Sequence, residues 1–251
     1  MTVTPVEVSA AVKNDIARLG GGFMLSDQAK AAAKGAGTGG WALYMLGRGG
    51  VLGEVHPDVI AAAFHFFPPE TVHKGWVKAR SIITPAAAVE LFTGACHEWG
   101  RRHLAEAKGL DRLAVLLDKA ALAAPVAGAP LFAGWRAVPL PADAPARVTQ
   151  LAHVLREYRG AIHGVCCLAA GLTPLESVLT SGGEGNAKFF GWAEPFADVT
   201  HLKPTRDYAE AITDSRACAP WAALDDEERA ELLPLLAAAG ECALVSMSRQ
   251  A

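Results

Sequence analysis

Several things are scarce or missing in this chain, and each absence closes off a class of protein. Cysteine is sparse: Cys96, Cys166, Cys167, Cys218 and Cys242 are an odd set without framework spacing, which excludes a disulfide-stapled fold and predicts a reducing, cytoplasmic setting. No HxxxH, HExxH or CxxC occurs, so no compact zinc motif is present and no metal site is expected from local spacing. No uncharged apolar run reaches the roughly 18 residues that a membrane span needs, which argues against a membrane partner. The first residues, MTVTPVEVSAAVKND, lack a basic stretch followed by an apolar one, as a signal peptide would require. Positive charge is not in excess. With 23 Lys and Arg against 26 Asp and Glu, no global field draws the chain to nucleic acid or anionic lipid.

Aromatic residues make up only 7% and β-branched residues are few, while Ala, Leu and Gly dominate a chain that is 51% hydrophobic. That mixture favours packed helices over sheets. Start and stop signals divide the chain accordingly. Ser26 caps a helix over 27–34, Pro57 opens one to about Phe66, and 70–82 puts Val72, Trp76 and Ala79 on one face. Thr84 and Pro85 start a helix to about Lys108, and Asp111 starts another to about Ala124. Residues 125–145 hold five prolines and read as a crossover whose Leu131, Phe132, Trp135 and Val138 need burial. Thr173 and Pro174 start a short helix ended by Gly182 and Gly183, and a further helix spans about 206–219. Asp225 and Glu228 form a capping box for a last helix to about Ala239, and 51–55 is the one candidate strand. The expectation is an all-α multi-helix bundle, with an N-terminal half (1–124), the crossover, and a C-terminal half (146–251). A faint internal likeness, GGWALYML with RGAIHGVC and FHFFPPE with KFFGWAEP, suggests two pseudo-repeated halves around a central helix. Chance similarity between Ala/Gly-rich helices gives the same likeness.

The segment 146–171, ARVTQLAHVLREYRGAIHGVCCLAAG, is that central helix, and it carries ionisable groups between apolar flanks. Such groups must be paired or used. At helical spacing Arg156, Arg159 and His163 converge over Gly160, a small surface that leaves room for a ligand or another backbone. Two guanidiniums beside an imidazole suit an anionic or polar metabolite, held by Arg156, Arg159, Gly160 and His153, with His163 and Glu157 as candidate acid–base groups. A buried structural network would use the same residues, each Arg meeting a carboxylate from another helix. Glycine-rich GAGTGG and GRGGVLG follow no apolar strand and read as helix ends. A metal or haem held by distant histidines, such as His65 with His153 or His163, stays open. So does association of copies of the chain.

LREYRGAIHGVCCLAAGLTPLESVL resembles a large, mostly uncharacterised actinobacterial family of helical proteins often labelled helix-turn-helix family proteins. The pattern L-R-E-x-R-G-x-x-H, then A-A-G-L and a Glu, is met by Leu155, Arg156, Glu157, Arg159, Gly160, His163, residues 169–172 and Glu176. The likeness extends to LGGGFMLSDQAK, GRGGVLGEV, FFPPE, LFAGWRAVPLP and GGEGNAKFFGWAEPFADV, nearly the whole chain. It implies kinship of fold and an intracellular setting. The family label also implies DNA binding through the C-terminal part, yet DDEERAELLPLLAAA is acidic and no strand–turn–strand wing is written there. On charge, the sequence favours a small-molecule ligand over nucleic acid.

Overall fold

Capping residues and prolines set most helix starts. Helix α1 (Pro5–Gly21) opens with a reciprocal Thr4–Glu7 capping box, and α2 (Asp27–Gly35) with the Ser26 hydroxyl accepting from the Ala29 N–H. After the apolar α3 (Gly40–Gly49) come α4 (Pro57–Phe64) and α5 (Pro69–Arg80), both with proline in the first turn and joined by residues 65–68. Then follow α6 (Pro85–His103), α7 (Leu110–Ala123), α8 (Pro130–Arg136) and α9 (Ala144–Ala169). The chain ends with α10 (Pro174–Phe190), broken at Gly183, then α11 (Lys203–Arg216), the one-turn α12 (Ala219–Ala222) and α13 (Asp226–Ser248). The computed structural model describes residues 2–249; among them there is no strand, and the architecture is an all-α multi-helix bundle.

Several boundaries differ from the sequence reading, each for a physical reason. Residues 50–52 form a 3₁₀ turn rather than a strand, because Gly53 at φ 79° turns the chain at once. The crossover contains α8, whose Leu131, Phe132 and Trp135 are buried as their composition demanded. Helix α9 starts earlier than expected because Asp143 caps it through the Ala146 N–H. Helix α13 runs well past Ala239, since nothing in GECALVSMS stops it.

The bundle is assembled on α9, against which α1, α6, α7, α8 and α11 all pack. From Val148 to Leu155 every residue of α9 is buried, so this half of the helix has no solvent face. At Gly20 the backbones of α1 and α9 touch: a Cβ there would lie 2.5 Å from the Ala152 carbonyl carbon. One continuous apolar core runs from Val8 on α1 to Ala243 on α13, spanning both sequence halves. By length and composition α13 is long and apolar enough to cross a membrane, and its Leu232, Leu236 and Ala239 are buried in that core.

A cavity on the charged face of the central helix

The cavity, of about 700 Å³, opens beside the middle of α9, where Arg156, Glu157, Arg159, Gly160 and His163 form one wall. The opposite wall is α4 and the turn after it, from Asp58 to Phe67. Ile16 and Lys13 of α1, Tyr44 and Arg48 of α3, Leu131 of α8 and Phe190 of α10 close the sides. Its size falls in the range of sites for small organic ligands. Gly160 borders this space directly: a Cβ there would meet nothing within 4 Å. One turn on, Gly164 does the opposite. A Cβ there would lie 2.5 Å from the His65 ring, so the glycine seats that imidazole. His65 is also the one non-glycine residue with positive φ among those described, at 42°.

Behind the wall lies a sealed ion pair. Arg48 Nε and Nη2 donate to the two Glu157 carboxylate oxygens, both at 2.8 Å, and Nη1 donates to the Tyr44 hydroxyl at 3.2 Å. The Arg48 guanidinium carbon also lies 4.3 Å from the Phe64 ring centroid. Arg156 Nη1 adds a third donor to Glu157 at 3.0 Å. Burial alone would raise the Glu157 carboxyl, but the charge and hydrogen bonds of Arg48, with Arg156 beside it, bring it down to about 2. His153 Nδ1 meets the Gly20 carbonyl at 3.2 Å, and its ring packs against Phe23, Phe92 and Trp135. Burial pushes that imidazole down to about 3, so it is neutral and donates through Nδ1.

A second network links α9 to α11. Arg159 Nη2 donates to Glu210 at 2.8 Å and to Asp214 at 2.9 Å, and Lys13 of α1 reaches Asp214 at 2.9 Å. Thr213 Oγ1 gives its proton to the Ala209 carbonyl, so at 2.9 Å it accepts from His163 Nδ1–H. That fixes the tautomer, and the Nε2 lone pair then accepts from Arg206 Nη1. Burial and the Arg206 charge, opposed by Glu210, bring His163 down to about 4. Cys167 Sγ lies 3.5 Å from the same nitrogen, but burial raises its thiol, which leaves it a poor nucleophile.

Of the residues singled out from sequence, Arg156, Arg159, Gly160, His163 and Glu157 share the cavity wall, and His153 does not: it is fully buried in the core behind them. Neither expected acid–base group is placed to exchange a proton near neutral pH. Glu157 is held ionised by Arg48, and both His163 nitrogens are engaged. Among the described residues no three of His, Cys, Asp or Glu converge as a metal set. Sequence reasoning overlooked Arg48, Arg206, Glu210 and Asp214. A lone arginine in GWALYMLGRG and the i, i+4, i+8 run of Arg206, Glu210 and Asp214 were the available signals.

Helices α4 and α5, joined by residues 65–68, form a helix–turn–helix in the topological sense, and the first of them lines the cavity. On the outer face of α5, Lys74 pairs with Glu70 at 2.7 Å and Arg80 with Glu54, which leaves Lys78 exposed beside Val77. No curated protein and no solved structure matches the chain. A family described as "Helix-turn-helix family" matches residues 10–202, which include the whole cavity wall. The chain therefore belongs to the helix-turn-helix family.

Proposed function

We propose that this helix-turn-helix family member binds a small anionic or polar metabolite in the cavity beside α9, through Arg156 and Arg159. The observation that carries this reading is the juxtaposition at Gly160. An empty space of ligand size abuts the stretch of α9 where Arg156 and Arg159 stand one turn before and immediately before a residue without a side chain. Binding fits the geometry better than turnover, because Glu157 and His163 are both locked in fixed protonation states. Native mass spectrometry of the purified protein is expected to show a co-purifying small molecule. The Arg156→Ala variant is expected to lose it while keeping its circular dichroism spectrum. A folded Arg156→Ala variant that retains the molecule would overturn the assignment.

A second reading, DNA binding, is favoured by family membership and by the α4–α5 pair. The paired charges on α5 and the net charge of −3 supply little electrostatic pull for it. It predicts salt-sensitive retention of duplex DNA in a gel shift, weakened by Lys78→Glu. No retention at low salt would remove it.

A further inference from the structure

The charges around the cavity do not cancel, and the remainder indicates what it takes. Arg48 and Arg156 share the single carboxylate of Glu157, so one positive charge there is left over. Lys13, Arg159 and Arg206 share Glu210 and Asp214, and a second is left over. Neither His65 nor His163 alters this, since burial lowers both imidazoles and keeps them neutral. Among the described residues the one other carboxylate on the wall is Asp58, exposed at the rim 2.7 Å from His73 and 3.3 Å from His56; it offsets one of these charges and leaves a single positive charge over.

The free hydrogen-bond donors lie where that excess is. Among the described residues the only protein partner of Arg156 is Glu157, reached through Nη1, so its remaining N–H groups are open. Arg159 uses Nη2 for both its carboxylates, which leaves its Nη1 without a protein partner among the described residues. Arg156 stands one helical turn before Gly160 and Arg159 immediately before it, and a Cβ at that glycine would meet nothing within 4 Å, so open space adjoins both arginines. The rest of the wall is apolar and aromatic, with Phe64, Phe66, Phe67, Phe190 and Leu131. Such a surface gives no return for hydrating a small ion such as acetate and favours an apolar body.

Resting on the small-molecule reading above, we propose that the ligand is an amphipathic carboxylate. Its head group is bridged by Arg156 and Arg159 over Gly160, and its hydrocarbon body lies among the phenylalanines of the α4–α5 turn and Phe190. Charge-assisted fork contacts give the head group its selectivity, and burial of the body gives most of the affinity.

Isothermal titration calorimetry with decanoate, 1-decanol, decyl phosphate, acetate and inorganic phosphate tests this on the full chain. The expected result is one decanoate per chain, with decanol at least ~10-fold weaker because the fork contacts are lost, and acetate without measurable heat. Arg156→Gln is expected to weaken decanoate by ~10-fold or more and leave decanol unchanged. Gly160→Leu fills the gap and is expected to abolish both, with a melting temperature equal to or above that of the parent, since its side chain enters open space and helix propensity improves. Equal affinity for decanol and decanoate, tighter binding of decyl phosphate, or no decanoate heat at all would each overturn the amphipathic carboxylate. If acetate or inorganic phosphate instead binds in an Arg156-dependent manner, the small-molecule site stands and only the ligand class falls. If no probe binds and no molecule co-purifies, both fall together.

Discussion

Two clusters of arginine and carboxylate hang on the same helix, centred two residues apart, and they do different jobs. Around Glu157 the core pair is nearly closed to solvent: its side chain is 1% exposed and that of Arg48 10%, while Arg156 at 31% reaches the cavity. Around Arg159 the carboxylates are more open than Glu157, with Glu210 at 29% and Asp214 at 13%. The first cluster joins α3 to α9 across the core, and its carboxylate is all but shut off from water. The second joins α1, α9 and α11 at the edge, where solvent screens each pair. The lesson is that charge density along a helix does not distinguish a structural ion pair from a binding surface. Burial of the partner does.

The contrast is most sharply broken at Glu157. Changing Glu157→Gln removes the carboxylate that Arg48 and Arg156 share and strands Arg48 in the core. Urea unfolding is expected to show a loss of about 3–5 kcal/mol. A loss below about 1 kcal/mol would mean that water reaches Arg48 and that the two clusters are alike.

Acid should come next in size. His153 and His163 have folded values of about 3 and 4, below the ordinary histidine value of 6.5. In the window between, the unfolded chain binds more protons than the folded one, so stability falls as pH drops. The contribution is complete above pH ~6.5 and is lost as pH falls through the folded values, on the order of a few kcal/mol together. Melting temperature followed from pH 7 to pH 4 should decline, and His163→Gln should shallow the slope. A flat profile would show that neither ring is held neutral by its surroundings.

The smallest effect belongs to the edge cluster. Asp214→Asn leaves Arg159 paired with Glu210 and partly hydrated, so about 1 kcal/mol or less is expected, shrinking further in 0.5 M salt. A salt-independent loss comparable to that of Glu157→Gln would erase the distinction between the two clusters.

Much of this was legible before any coordinates. Thr84, Thr173 and Asp225 cap helices as their sequence context predicts, and the clustered Arg156, Arg159 and His163 do face a common space over Gly160. What could not be read was the partner of each charge, because Arg48 lies 109 residues from Glu157 and Asp214 lies 55 from Arg159. Periodicity reports which face a residue occupies, not what a distant segment brings to it. For the same reason spacing alone does not separate Gly160 from Gly164, whereas in the fold one borders open space and the other receives a ring. His153 sits on the stretch of α9 that is covered on every side, a fact fixed by five other helices.

That ring has a consequence for how the sequence can change over time. The His65 imidazole occupies the place where any side chain at position 164 would begin, and its backbone holds a φ that most residues avoid. A mutation enlarging residue 164 evicts the imidazole, and a mutation shrinking residue 65 leaves a hole over the glycine. The two positions, 99 apart in the chain, are therefore a single inherited choice, and relatives that alter one should carry a compensating change at the other.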